Sequence, residues 1–173
     1  MHITKRSLLV LLAAVIVAPG LMTAQGAWQT VANEPGRFSI TVPAPLSPDR
    51  PVTDTNGVTS HTFVASHAGK AYVVAYADGA IQNWRAEMDA ARDALLKGLS
   101  ASVVSEQYFK ASQPVGDVQA SEFTCRSEAQ GTECQCRTFW HKSRLYMVGV
   151  LYKSGTGSAL DTARFLDSFR ITS

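Results

Sequence analysis

Arg144-Leu145-Tyr146-Met147-Val148-Gly149-Val150-Leu151-Tyr152, RLYMVGVLY, is apolar at nearly every position from Leu145 to Tyr152. A strand built this way has no polar face to turn toward water, so it reads as the centre of a sheet covered on both sides. The nearest source of a cover is SALDTARFLDSF, just downstream, where Ser158 and Asp161 form a capping-box pattern at the start of a helix. A second cover lies upstream. From Asn83 to Leu99 the apolar residues Trp84, Met88, Ala91, Leu95 and Leu99 fall on one helical stripe, with Arg85, Asp89, Arg92, Asp93 and Lys97 on the other face. Asn83 suits the N-cap and Gly98 the stop.

Working outward, ASVVSEQYF, GDVQASEFTCRS and ECQCRTFW read as the strands before the central one. Toward the start of the chain, Phe38, Ile40 and Val42 alternate with Ser39 and Thr41, the signal of a half-buried strand. Pro43, Pro45, Pro48 and Pro51 then make a stiff loop that cannot join a central ladder. Asn56-Gly57 predicts a two-residue hairpin turn, and His67-Ala68-Gly69 a second hairpin leading into KAYVVAYAD. The order is strands, helix, strands, helix. The fold class expected is α+β: an antiparallel sheet of about six or more strands with helices packed on both faces, an α-β-α sandwich.

All three cysteines, Cys125, Cys134 and Cys136, lie in CRSEAQGTECQC. Their gaps do not match the C-x₂₋₄-C pairs of structural zinc sites, and C-x-x-C is missing, so neither a metal nor a thioredoxin-like centre is assigned. If residues 118–141 form a hairpin, charge selects its register. Placing Cys125 opposite Cys134 also sets Glu122 against Arg137 and Arg126 against Glu133, whereas placing Cys125 opposite Cys136 sets Glu128 against Glu133. Cross-strand pairs contribute ~0.2–1 kcal/mol each, which favours the first arrangement. Directly opposed residues lie ~4.5–5.5 Å apart at Cα, within disulfide reach, so a Cys125–Cys134 bridge is expected. Cys136 is left over as a candidate free thiol, read first as a small buried hydrophobe.

The first residues run from Lys5 and Arg6 through SLLVLLAAVIVAPGLM to Ala24-Gln25-Gly26, the pattern of a secretory signal peptide over residues 1–26, leaving 27–173 as one domain. The apolar run is interrupted at Pro19-Gly20 and falls short of the ~20 residues of a span, so no stable membrane insertion is expected after cleavage. The whole chain has 16 basic and 14 acidic side chains. Two of the basic ones, Lys5 and Arg6, leave with the leader, so the mature part is electrically balanced and a nucleic-acid partner loses its electrostatic argument. A periplasmic or secreted location follows, an oxidising one that suits the bridge.

No G-x-S-x-G, S-x-x-K or H-E-x-x-H stands in the sequence, so no catalytic residue is assigned and no cofactor is called for. Ser154-Gly-Thr-Gly157 reads as a plain turn and cap. Tyr72, Tyr76, Tyr146 and Tyr152 read as packing residues, and His61 as a strand residue.

Taken in order, FSITVP, YVVAYAD, RLYMVGVLY and ARFLDSFRI resemble a family of uncharacterised exported bacterial proteins that look like relatives of the PsbP-type α-β-α sandwich. The resemblance implies helices on both faces of the sheet, and members that act as binding or assembly factors without a shared active site. It gives no role to Trp140, His141 and Lys142, which stand as the candidate interaction surface. The expectation is therefore a non-catalytic exported binding or assembly module of the cell envelope, its partner an envelope protein or ligand. A small periplasmic enzyme, a hydrolase or a thiol-dependent activity using Cys136, is the alternative.

Overall fold

The computed structural model describes residues 28–55, 57–79 and 83–173. The segment 1–26, expected to be a signal peptide, and Asn56 of the expected hairpin turn lie outside the described residues. Along the chain run β1 (Gln29–Asn33), β2 (Phe38–Val42), β3 (Val52–Thr53), β4 (Thr59–His67), β5 (Lys70–Asp78), α1 (Trp84–Leu99), β6 (Ser102–Gln113), β7 (Gly116–Ser127), β8 (Thr132–His141), β9 (Arg144–Lys153), α2 (Ala159–Asp167) and β10 (Arg170–Ile171). Two antiparallel sheets result. The larger has the order β3-β4-β5-β9-β8-β7-β6, the smaller β1-β2-β10.

RLYMVGVLY is β9, hydrogen-bonded between β5 and β8, and Leu145 to Leu151 are buried throughout. Its alternate residues feed two separate cores. Leu145, Met147 and Leu151 meet Met88, Ala91, Leu95 and Leu99 of α1. Tyr146, Val148 and Val150 face Phe38, Ile40, Val42, Phe165, Phe169 and Ile171. Asn83 caps α1, its side chain accepting from the backbone N–H of Arg85 and Ala86, and Ser100 closes the other end in the left-handed region at φ 47°.

The expected α-β-α sandwich with helices on both faces is overturned here. Helix α1 covers one face, but the other is roofed by a second sheet with the short α2 beside it, and the chain is mostly strand. Physical reasons lie in length and in pairing. Nine helical residues make a rod of only ~13 Å, too short to roof the middle of a sheet this wide. The remainder is roofed by β2, whose Phe38, Ile40 and Val42 are 0% exposed. Its neighbours are β1 and, from the far end of the chain, β10, with Ile171 opposite Phe38. An alternating strand suits a sheet packed on a sheet as well as a sheet under a helix, so period alone did not separate the two.

The turns follow their local chemistry. Ala68 and Gly69, at φ 49° and 72°, form the two-residue turn joining His67 to Lys70. The β3–β4 turn is wider than the two residues expected: the Asp54 N–H donates to the Val58 carbonyl and the Asp54 carboxylate takes the Val58 N–H, both at 2.9 Å.

Candidate functional site

The β7–β8 hairpin has Glu122 opposite Arg137, Cys125 opposite Cys134 and Arg126 opposite Glu133. Arg137 donates to Glu122 at 2.5 Å and reaches Asp167, at the end of α2, at 2.6 Å. Cys125 and Cys134 are bonded, with Cα atoms 4.9 Å apart. Cys136 keeps its thiol and is 1% exposed, and burial pushes that thiol up to about 12. It sits between Phe123 and Gly149 in the ladder. A Cβ added at Gly149 would lie 2.5 Å from the Cys136 sulfur, so the glycine makes the room that the sulfur fills.

Trp140, His141 and Lys142 do not form one surface. Trp140 is half-buried against the α1 core, while His141 and Lys142 belong to a cleft at the opposite face. That cleft, about 410 Å³, gathers Arg37, Asp78, Val115, His141, Lys142, Ser143, Arg144, Tyr146, Thr172 and Ser173 at one end of the two sheets. Lys142 and Ser143 turn β8 into β9, and Lys142 takes φ 56°. Arg37 takes φ 50° in the β1–β2 turn, where its carbonyl accepts the Thr172 N–H at 2.9 Å. Both cationic side chains are exposed.

Arg144 is committed within the cleft. Its guanidinium makes two 2.6 Å bonds to the Asp78 carboxylate and one of 2.8 Å to the Pro35 carbonyl, and lies over the Tyr76 ring. The bond to Asp78 raises its pKa despite burial. Burial, with Lys142 adding to it, lowers the pKa of His141, which keeps that ring neutral at pH 7. Asp78 is answered by Arg144, so among the charged side chains of the cleft Arg37 and Lys142 leave a positive excess.

On the far side of Tyr76, His61 stacks on the ring with centroids 4.5 Å apart and meets the Asp49 carboxylate through Nδ1 at 2.6 Å. This ties the proline-rich loop to β4. Tyr72, Tyr76 and Tyr146 are buried packing residues. Ser154 to Gly157 form a turn closed by the Thr156 N–H on the Lys153 carbonyl, and Ser158 caps α2. Among the described residues no group of three or more His, Cys, Asp or Glu stands close enough to hold a metal ion, and no helix is long and apolar enough to cross a membrane.

Sequence reasoning found His141 and Lys142 but missed Arg37, Asp78 and Arg144. Only the pairing of β5 with β9 and of β2 with β10 joins these residues, and neither pairing is between sequence neighbours. Against known proteins, no family model matches the chain and no curated protein matches it.

Proposed function

We propose that this protein is a non-catalytic exported binding module of the cell envelope, and that it takes an anionic group of its partner in the cleft between the β1–β2 and β8–β9 turns. One observation carries the reading: Arg37 and Lys142 are exposed at the cleft while Arg144 is neutralised by Asp78. Two cations held on short turns, with the Ser143 hydroxyl nearby, suit a carboxylate or a phosphate, groups that recruit charge-assisted hydrogen bonds. The Cys125–Cys134 bond is compatible with an oxidising compartment and supports export.

The enzyme reading draws less support. A thiol held protonated and 1% exposed offers no nucleophile, which weighs against chemistry at Cys136. His61 is oriented by Asp49 as a base would be, but its ring lies flat on Tyr76 in a packed row.

The test is amide chemical-shift titration of the oxidised protein with inorganic phosphate and, separately, acetate. Saturable shifts at His141, Ser143 and Thr172, in the millimolar range that corresponds to about −4 kcal/mol, are expected. They should vanish in Arg37→Gln/Lys142→Gln. Shifts that stay linear with concentration, or that saturate unchanged in the double variant, defeat the assignment of the cleft.

A further inference from the structure

The seven-stranded sheet ends in two unlike edges. At one end β3 is two residues long and directly follows a proline-rich loop. Short strands and prolines are the usual devices that keep an edge from pairing. At the other end β6 runs twelve residues, exposed along almost all of its length, with Val103, Val104 and Phe109 among the exposed large apolar side chains. Its inner edge pairs with β7, and among the described residues no strand lies beside its outer edge. A single irregularity between Val103 and Ser105 interrupts it near the start, and the remainder from Ser105 onward is regular.

Charge on that strand is unbalanced in a particular way. On the α1 side, Arg92 meets Asp93 at 2.9 Å, Asp89 at 3.4 Å and Glu106 at 2.5 Å. Tyr108 donates to Asp89 and, at 3.0 Å, to Glu106, with the Arg85 guanidinium 3.9 Å above its ring. Three carboxylates thus face two guanidinium groups. Lys110 is exposed on the same side of the strand and stands in no ion pair among the described residues. Four residues along a strand place it ~13 Å from Glu106, too far to close the deficit within its own chain.

We propose that β6 pairs antiparallel with β6 of a second copy, across a twofold axis at Tyr108 perpendicular to the sheet. Such an axis keeps every side chain on its own face. It sets Glu106 opposite the partner's Lys110, and Lys110 opposite the partner's Glu106, so each copy supplies the cation the other lacks. Ser105 then faces the partner's Ala111, and Gln107 faces the partner's Phe109. Other axes do worse. Centring on Glu106 opposes two carboxylates, centring on Lys110 opposes two ammonium groups, and centring on Gln107 or Phe109 leaves Glu106 and Lys110 unmatched. Cross-strand charge pairs select the register, while the backbone ladder joins two sheets into one.

Sedimentation equilibrium of the oxidised protein should give a dimer. Lys110→Glu, an exposed change that should leave the circular dichroism spectrum unaltered, places like charges opposite each other and should raise the dissociation constant about tenfold. Register is read separately by mixing Gln107→Cys with Phe109→Cys, which should yield a disulfide-linked heterodimer that neither variant gives alone. A protein that sediments as a monomer overturns the proposal. So does a dimer that Lys110→Glu leaves equally tight, or one in which the mixed cysteines fail to link.

Discussion

On one face of the seven-stranded sheet, Met147, Phe123 and three cysteines meet Met88 and Leu95 of α1; on the other, Phe139 and Tyr146 meet Phe38 of the second sheet, Phe165 of α2 and Phe169. The helix presents a narrow stripe, and beneath it methionine, leucine and cysteine side chains pack around the single fully buried ring of Phe123. A sheet stacks ~10 Å away and spans more width, and rings fill that volume. Phe169 is the hub of the aromatic side, 5.0 Å from Phe139, 5.5 Å from Tyr146 and 5.9 Å from Phe38 between ring centroids. Each cover also has its own charged clasp: Arg92 to Glu106 for α1, and Lys70 to Asp161 for α2.

If the aromatic side depends on one residue more than the helical side does, Phe169→Ala should be the most damaging single change. Urea unfolding is expected to show a loss of ~3–5 kcal/mol, at or above that of Leu95→Ala. An equal or smaller loss would mean the two faces share the load evenly. Next in size is the staple on the helical side. Replacing Cys125 and Cys134 together by alanine should lower stability by roughly 2–3 kcal/mol on the chain-entropy model for so short a loop, with the fold retained.

Gly149→Ala probes how tightly sulfur packs on that same side. Forcing a methyl against Cys136 should destabilise by ~1–3 kcal/mol, and Cys136→Ala in the same chain should recover most of the loss. Additive losses would show that the clash is absorbed elsewhere. The smallest effect belongs to the clasp on α2. The hydrogen bond from Lys70 holds the Asp161 carboxyl below its usual range. Its contribution is therefore present above the unfolded carboxylate pKa of ~3.9 and is lost as pH falls through the depressed folded value. Because Asp161 is 35% exposed, the change should stay under about 1 kcal/mol. Asp161→Asn should flatten the fall of the urea midpoint between about pH 6 and about pH 3 by that amount.

How much of this could be read from the chain depends on the separation of the partners. The β7–β8 register was legible because Glu122, Arg126, Glu133 and Arg137 lie within one hairpin, where a one-residue slip would send every side chain to the wrong face. Helix α1 was legible from its stripe and its Asn83 cap. The cleft was not. Arg144 and Asp78 lie opposite each other only because β9 docks on β5, and Arg37 joins them only because β10 returns to β2. The trio Trp140, His141 and Lys142 looked continuous along the chain, yet alternation along a strand sends Trp140 to one core and His141 to the other side.

The sequence by itself determined both helices, most of the strands, the β7–β8 register and which thiols could meet, since these rest on short-range periodicity and charge. Only the tertiary structure decided that the second face is roofed by a sheet, that two cations stand clear of a paired arginine, and that β6 is left as a long open edge. Those facts come from strands far apart in sequence competing for the same buried area, and no local pattern records which of them wins.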